Sequence, residues 1–339
     1  MDFNFPKYIF FDGRCIKTEA EGKIFGKYLE LNNPKENLVT INNTDYFFSY
    51  LDPIRPISKG GHSIILKLYQ SDTFDLDDIN YDEPDKILKI LNRPIREGYP
   101  NLRIHDRFLK EVEALYKCKE SSFQSIISIY DSGKCKLNIS KGNKRYSNEF
   151  LYYTMECAES DLTNYLFENP ELDFGSRVSL CSSIAKCLQD LYSLGYYHRD
   201  LKPDNILISG EQWKIADLGL ISHREINFEI DEENELIGPR GWLSPEAINK
   251  KLCVTSELKI LHDCKIDHQS DLFQLGKLFC YILQGNNPMG IVNISDLNIG
   301  NHELKHLVLK MLYYKKKKRI KRIQTVINRI KPIEQKLAF

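Results

Sequence analysis

The sequence predicts an α+β fold in which short strands come first and long helices follow. Before residue 155, short apolar runs are separated by turn-forming residues, as in strands. Farther along, residues 177–194 and 271–283 carry apolar side chains around most of the helical circumference, which is typical of buried helices. The chain has 339 residues, 42% of them hydrophobic, which is enough for a well-buried core.

Charge and cysteine content restrict the class of protein. Lys plus Arg and Asp plus Glu both number 47, so no global field favours nucleic acid or a membrane surface as the main partner. Nine cysteines form no Cys-x-x-Cys pair, which favours a reducing compartment. The first residues lack the pattern of a signal peptide, and no apolar run reaches membrane-spanning length. We therefore expect a soluble, cytoplasmic protein with no membrane span and no nucleic-acid partner.

The most informative stretch is a polar loop between two short predicted strands. It runs His198-Arg199-Asp200-Leu201-Lys202-Pro203-Asp204-Asn205 and is followed by an apolar run, a turn and Asp217-Leu218-Gly219. Two acids, an amide and a lysine in one loop suit a site that binds metal and phosphate and positions a hydroxyl group. A capped turn with a surface ion pair would explain His-Arg-Asp alone. It does not explain eight residues in register followed by Asp-Leu-Gly.

These motifs resemble the catalytic loop and the metal-binding Asp-Phe-Gly of the protein kinase family. The resemblance covers about residues 46–333 and implies a two-lobe fold, an antiparallel β-sheet lobe with one main helix above a mainly helical lobe. It implies ATP as phosphate donor and Mg²⁺ as cofactor. By the same resemblance, Asp200 orients the attacking hydroxyl group and Lys202 places a positive charge beside the moving phosphate. Asn205 and Asp217 would hold the Mg²⁺.

Further nucleotide-binding residues follow from the same resemblance. Residues 86–91 match the family's Val-Ala-Ile-Lys strand, which makes Lys89 the candidate for the α- and β-phosphates. Glu111, in a predicted helix at 107–115, is expected to pair with it. Residues 57–65 look like a degraded glycine-rich loop, for which a plain hairpin turn is the alternative. The loop residues expected near phosphate are Ser58, Gly60 and Gly61.

Two predicted strands, 125–130 and 150–155, lead to a segment that resembles the kinase hinge. They are separated by a Lys-rich hairpin. The hinge residues, whose backbone would bond adenine, are Glu156, Cys157 and Ala158. Asp161 is placed to reach a ribose hydroxyl group, but it is equally well explained as the N-cap of the following helix.

The expected domain organisation is a β-rich N-terminal extension at 1–45 and a protein kinase domain at 46–335. The N-lobe would span about 46–156 and the C-lobe about 157–335. The extension either packs on the small lobe or forms a separate recognition module. So short a piece would have difficulty burying a core of its own.

Two features bear on the substrate. Lys202, in His-Arg-Asp-Leu-Lys, is typical of serine/threonine kinases, whereas Pro239 and Trp242 look more like the tyrosine-kinase pattern. We expect transfer to Ser/Thr hydroxyl groups of proteins, with dual or tyrosine specificity open. The segment that contains Pro239 ends in Ser-Pro-Glu, and its Glu246 is expected to pair with Arg319 as a structural contact.

An acidic run lies between Leu220 and Leu243, where the only hydroxyl-bearing residue is Ser222. In kinases with Arg before the catalytic Asp, that Arg commonly pairs with a phosphate on this segment. We predict that a carboxylate from the run meets Arg199 instead, so that activity does not depend on phosphorylation there. The alternative is that these acids merely solvate a loop.

Rival functions remain open at this point. The poor glycine loop is compatible with a pseudokinase, a binding scaffold of the same fold. A kinase of small molecules is disfavoured by Lys202 and by Ser-Pro-Glu.

The basic cluster at 315–322 is predicted to be a solvated turn rather than a contact for nucleic acid or anionic lipid. The connection at 247–270 either sets substrate choice or is a tolerated insertion.

Overall fold

The fold is taken from a computed structural model of the chain. It describes residues 8–10, 22–25, 28–31, 38–41, 44–51, 63–70, 83–91, 93–95, 102–141, 144–225, 230–233, 235–253 and 256–337. These residues belong to two compact units. The first comprises Met1–Val112 and Ser128–Cys157, and the second Glu113–Ile127 and Ala158–Phe339. The predicted glycine-loop residues Ser58, Gly60 and Gly61 lie outside the described residues.

The first unit is built from antiparallel strands. They are β1 (Tyr8–Phe10), β2 (Gly22–Phe25), β3 (Tyr28–Leu31), β4 (Leu38–Ile41), β5 (Thr44–Tyr50), β6 (Ser63–Tyr69), β7 (Lys86–Leu91), β8 (Ile129–Lys141) and β9 (Lys144–Met155). Strands β1, β3 and β2 form a small sheet, and the other six form a sheet in the order β4-β5-β6-β7-β9-β8. Strand β4, which lies within the predicted extension at 1–45, pairs directly with β5 and forms an edge strand of the main sheet.

Strand β7 has the bounds that the sequence predicts and lies inside the main sheet. Leu88 and Ile90 enter a core cluster on this sheet with Leu66 and Phe150. The prediction of a strand at 125–130 is wrong in its bounds, because β8 begins at Ile129. Ile126 instead forms an isolated parallel bridge with Ile215, so the start of this apolar run pairs at a single position and not as a regular strand.

The helix predicted at 107–115 is longer than expected. Helix α1 spans Arg103–Glu120. Its buried residues include Phe108 and Leu115, which repeat at helical spacing and explain why this polar segment holds a helix. Glu111 lies on this helix and is 2% exposed.

The second unit is mainly helical. Its helices are α2 (Leu162–Glu168), α3 (Phe174–Ser193), α4 (Pro245–Leu252), α5 (Ser256–Leu261), α6 (His268–Gln284), α7 (His302–Met311) and α8 (Ile323–Leu337). Helix α3 ends before Gly195, whose φ of 85° lies in the left-handed region that favours glycine. Helix α6 begins at a capping box between Asp267 and Ser270, and most of its residues are buried. No described helix is both long and apolar enough to cross a membrane.

The predicted pair between Glu246 and Arg319 is confirmed. The guanidinium donates to the two carboxylate oxygens at 2.8 and 3.1 Å, and both side chains are buried. Arg319 therefore departs from the prediction of a solvated basic turn at 315–322. So does Lys316, whose side chain is only 9% exposed and lies 3.1 Å from the carboxylate of Asp267.

Candidate active site

A two-stranded hairpin places Asn205 and Asp217 at the same end of one structural element. The strands of the second unit are β10 (Ser160–Asp161), β11 (Tyr196–Tyr197), β12 (Ile206–Ser209), β13 (Gln212–Ile215) and β14 (Ser222–His223). Strands β12 and β13 form the hairpin, and β10 pairs with the other edge of β12. Its register pairs Ile206 with Ile215, and the backbone N–H of Ala216 donates to the carbonyl of Asn205 at 3.0 Å. Asn205 directly precedes β12, and Asp217 follows Ala216. The hairpin thus brings together two residues that are twelve positions apart.

Asp200 is held by the side chain of Asn205. The amide nitrogen of Asn205 donates to the backbone carbonyl of Asp200 at 2.8 Å and to its Oδ2 at 2.9 Å. Lys202 Nζ lies 3.8 Å from the same Oδ2. Asp200 is 9% exposed and Asn205 is 4% exposed. Because the amide nitrogen faces Asp200, the amide oxygen faces away from it and is available to another ligand.

The backbone of this loop is strained at two positions. Arg199 has a φ of 66° and Asp217 a φ of 58°, in the left-handed region that non-glycine residues seldom adopt. Such residues persist where the surroundings fix them, and they occur often at functional sites. For Arg199 the surroundings are side chains of α6: Asp271 accepts its N–H at 2.7 Å, and Gln274 donates to its carbonyl at 3.2 Å.

His198 connects the two strained segments. Its ring contacts the backbone N–H of Asp200 through Nδ1 and the carbonyl of Ala216 through Nε2, both at 3.1 Å. A neutral imidazole with its proton on Nε2 satisfies both contacts. Burial lowers the pKa of His198 to about 4, so the ring is neutral at neutral pH.

Arg199 makes a buried ion pair with Asp231 from the acidic run. Its NH1 and NH2 donate to the two carboxylate oxygens at 2.6 and 3.2 Å, and Lys250 Nζ lies 3.2 Å from the same carboxylate. The side chains of Arg199 and Asp231 are 4% and 2% exposed. Burial alone would raise the pKa of Asp231, but the two cations outweigh it and lower the pKa to about 2. The predicted contact between Arg199 and this run is therefore present.

The first unit also contains a buried ion pair, between Lys89 and Glu111. Lys89 Nζ donates to Glu111 Oε1 at 2.8 Å, and the hydroxyl of Tyr153 donates to the same oxygen at 2.9 Å. Lys89 and Tyr153 are neighbours across the sheet because β7 pairs with β9 in this register. Lys89 is 6% exposed, so its charge depends on this partner for compensation.

The predicted hinge residues are fixed by backbone contacts. Glu156 donates its N–H to the carbonyl of Ser128 at 3.0 Å and accepts the N–H of Ser128 on its carboxylate at 2.7 Å. Cys157 contacts the carbonyl of Pro84 through its thiol, whose pKa is raised by burial. Ala158 is half-buried. Asp161 is the N-cap of α2 and accepts the N–H of Asn164 at 2.9 Å, as one of the two sequence interpretations expects.

Comparison with known protein families decides the classification. Residues 88–336 match the protein kinase domain. The chain belongs to the protein kinase family. With its antiparallel sheet in the first unit and its helices in the second, the predicted two-lobe kinase fold is confirmed.

Individual kinases resemble the chain at low identity. The dual specificity protein kinase TTK of Mus musculus is 24% identical over 211 residues, 60% of this chain and 23% of that protein. The serine/threonine-protein kinase MPS1 of Saccharomyces cerevisiae is 24% identical over 270 residues, 78% of this chain and 31% of that protein. The sensor for unfolded proteins in the ER ire1 of Schizosaccharomyces pombe is 32% identical over 192 residues, 48% of this chain and 18% of that protein. The matched stretch is thus less than a third of each relative.

Sequence reasoning did not assign the supports of this candidate site. Asp271 and Gln274 were recognised only as part of a buried helix, yet both hold the backbone of the catalytic-loop motif. The signal was available, because a buried helix with an Asp and a Gln among its apolar residues must satisfy them with partners. Lys250 carried no such signal, since a lysine near the end of a helix is ordinarily solvated.

Proposed function

We propose that this kinase transfers the γ-phosphate of ATP to Ser or Thr hydroxyl groups of protein substrates. The observation that carries the proposal is the fixed carboxylate of Asp200, with Asn205 donating to it and Lys202 beside it. Serine/threonine specificity is favoured by Lys202 in the loop and by the similarity to a serine/threonine kinase of yeast. The similarity to a dual specificity kinase keeps tyrosine open as a second acceptor.

In this proposal Asp200 orients the acceptor hydroxyl group. Its carboxylate is nearly buried and fixed by Asn205, so it does not have to reorganise when the hydroxyl approaches. Lys202 lies close enough to stabilise negative charge that develops on the transferred group. Positioning and preorganised charge supply most of the rate enhancement in phosphoryl transfer.

Asn205 and Asp217 would hold Mg²⁺. An amide oxygen and a carboxylate at one end of a hairpin fit this ion, which prefers oxygen ligands and completes its shell with water and substrate phosphates. The orientation of the Asn205 amide, with its nitrogen committed to Asp200, supports this assignment. When bound, the ion would neutralise charge on the phosphates.

Lys89 would bind the α- and β-phosphates of ATP while Glu111 holds its ammonium group in place. The backbone of Glu156, Cys157 and Ala158 would bond adenine. Other proposed nucleotide contacts are Asp161 at the ribose and Ser58, Gly60 and Gly61 at the phosphates. Both carboxylate oxygens of Asp161 bond to Asn164, so a ribose contact would have to share them.

We also propose that activity does not require phosphorylation of the activation segment, the stretch between Asp217 and Glu246. The carboxylate of Asp231 is bonded to Arg199 where other kinases use a phosphate. The only hydroxyl-bearing residue between Leu220 and Leu243 is Ser222. Ser222 is 8% exposed and lies in a short strand, so a second kinase would not reach it in the folded protein.

The proposed setting is the cytoplasm. The seven cysteines whose side chains the structure describes are free thiols, and five of these are buried. Burial raises the pKa of Cys118, Cys187 and Cys280 to about 12, so these thiols resist conversion to the reactive thiolate. Such cysteines are compatible with a reducing compartment.

The activity is tested with the purified full chain, Mg²⁺, ATP and a peptide library that contains Ser, Thr and Tyr acceptors. We expect phosphate on Ser and Thr peptides, and its loss in Asp200→Asn with ATP binding retained. ATP binding without any transfer would favour the scaffold interpretation. Transfer to an aminoglycoside or choline-like compound but not to peptides would favour a small-molecule kinase.

The independence from phosphorylation is tested on protein treated with a phosphatase that is then removed. Initial rates should equal those of untreated protein, and mass spectrometry should find no phosphate between residues 217 and 246. Asp231→Asn should lower the initial rate, whereas Glu233→Gln, an exposed neutralisation in the same segment, should not. An inactive dephosphorylated enzyme that recovers with phosphate at Ser222 would contradict this proposal while leaving kinase activity itself established.

A further inference from the structure

Two histidines at the start of α7 form a pair that the proposed phosphoryl transfer does not use. His302 and His306 are both exposed, and their Nε2 atoms are 3.1 Å apart. The ring centroids are 4.4 Å apart and the ring planes are inclined by 65°. Residues four positions apart lie on the same face of a helix, so the pair follows from the spacing. The opposite face of α7 is buried through Leu304 and Val308.

The local sequence is His302-Glu303-Leu304-Lys305-His306. This is the His-Glu-x-x-His pattern, which on a helix directs two imidazoles to one side to bind zinc. The pattern requires a regular helix, and α7 provides one from its first residue. Asn301 caps it, with its side chain accepting the N–H of Leu304 at 2.9 Å.

The distance between the two imidazole nitrogens fits a shared metal ion. Zinc–nitrogen bonds are about 2.0–2.1 Å long, so two nitrogens bound at about 90–110° lie about 2.9–3.4 Å apart. The observed separation of 3.1 Å falls within this range. A direct hydrogen bond between two neutral rings is the other arrangement compatible with it, and only metal titration distinguishes the two.

We propose that His302 and His306 chelate a borderline transition-metal ion of the class of Zn²⁺, Ni²⁺ and Cu²⁺. Imidazole nitrogen suits these ions and does not suit Mg²⁺, so the site is chemically distinct from the proposed magnesium site. The described residues contain no group of three or more His, Cys, Asp or Glu arranged to hold a metal. Catalytic zinc sites use three protein ligands, so this pattern predicts binding and not hydrolysis.

The test is calorimetric titration of the full chain, without nucleotide, with NiCl₂ and with ZnCl₂. We expect His302→Gln and His306→Gln each to weaken binding at least about tenfold, because each removes one of two linked ligands. His262→Gln is the matched control, since His262 is also exposed but lies outside the pair. It should bind both ions as the unsubstituted chain does, and excess MgCl₂ should not compete.

The variants change exposed side chains, so their thermal unfolding and their phosphate transfer should match those of the unsubstituted chain. Paramagnetic broadening by Ni²⁺ gives a second readout, because imidazole signals of both histidines should broaden together. Equal metal affinity in all four proteins, or broadening confined to other histidines, would overturn the proposal. The outcome is independent of whether the chain transfers phosphate.

Discussion

The carboxylate of Asp271 accepts the backbone N–H of Arg199 at 2.7 Å, and through it a buried helix fixes a strained loop. Its other oxygen accepts the N–H of His198 at 2.8 Å. Gln274, one turn farther along the helix, bonds to the backbone of Arg199 and Leu201. Two side chains of α6 therefore satisfy the backbone groups that a left-handed residue leaves without regular partners. The geometry of Asp200 depends on this support.

Replacing Asp271 with Asn should damage both folding and activity. An amide of the same shape presents an N–H₂ group to one of two buried N–H donors, which loses its acceptor. An unsatisfied buried donor costs about 1–3 kcal/mol. We expect thermal unfolding to shift down by several degrees and kcat to fall more than KM rises. Glu257→Gln, an exposed neutralisation on α5, serves as control, and a variant as stable and active as that control would contradict this account.

His198 should make stability depend on pH. Its folded pKa of about 4 lies below the value of about 6.5 in an unfolded chain, so the unfolded chain binds the proton more tightly. The stabilisation is therefore complete above pH 6.5 and is lost as the pH falls toward 4. For His198 alone, linkage gives a loss of about 2 kcal/mol between pH 7.5 and pH 5, whereas Asp271, whose pKa burial raises to about 7, contributes in the opposite direction over the same range. Protonation at Nδ1 would also break the bond to the N–H of Asp200.

Denaturant titrations at pH 7.5 and pH 5 check this dependence. His198→Gln removes this group, so acidification from pH 7.5 to pH 5 should cost the variant about 2 kcal/mol less stability than it costs the unsubstituted chain, even though the variant is less stable at both pH values. His262→Gln, an exposed substitution, should keep the slope of the unsubstituted chain. The assignment to His198 fails if both variants show the same slope.

Short motifs predict the residues of the candidate site, and chemistry predicts the pairs among buried charges. A lysine in a buried strand requires an acid, and Glu111 supplies it at 2.8 Å. Arg199 required an anion, and the sequence offered six acids without deciding among them. The choice of Asp231 depends on how the segment folds back toward Lys250, which no local pattern records.

Element bounds were predicted less well than element types. The apolar run at 125–130 reads as a strand, yet only its end joins β8, because the carbonyl of Ser125 and the N–H of Ile127 bond to the backbone of Ile215 instead. Strand β8 then continues through a polar stretch to Lys141, held by pairing with β9 rather than by apolar alternation. Tertiary context overrides local propensity in both cases.

Removing the hydroxyl of Tyr153 should loosen the Lys89–Glu111 pair without abolishing it. The Tyr153 hydroxyl donates to Glu111 at 2.9 Å, and hydrogen bonds to charged groups contribute about 1.5–3 kcal/mol. We expect Tyr153→Phe to lower stability by about that amount and to raise the KM for ATP. Glu111→Gln should have a larger effect on kcat. Tyr314→Phe, at a half-exposed tyrosine with a long 3.4 Å bond, should change neither quantity.

Asp231 and Lys250 should differ in importance although both belong to the same buried cluster. Asp231→Asn leaves Arg199 and Lys250 without their shared anion, and breaking a buried ion pair costs about 3–5 kcal/mol. Lys250→Met removes only one of two cations and leaves the contact with Arg199 intact. Both the free energy of unfolding and the initial rate of phosphate transfer should therefore be highest for the unsubstituted chain, lower for Lys250→Met and lowest for Asp231→Asn. The reverse order of the two variants would show that Lys250, not Arg199, is the main partner of Asp231.

Arg319→Lys should be severely destabilising despite keeping the charge. The guanidinium bonds to both oxygens of Glu246 and also to the carbonyls of Gln269, Tyr313 and Tyr314. An ammonium group has three donors and no planar fork, so it cannot reproduce this set in a site where the side chain of Arg319 is fully buried.

We expect Arg319→Met, which leaves Glu246 buried without its cation, to lower the free energy of unfolding by about 3–5 kcal/mol. Arg319→Lys should lower it by nearly as much. Arg322→Lys, at an exposed arginine of the same basic cluster, should have the same free energy of unfolding as the unsubstituted chain. Because Glu246 ends the activation segment, the two Arg319 variants should also lose activity at temperatures below their unfolding transition. An Arg319→Lys variant of full stability would show that charge alone, and not the forked geometry, anchors this segment.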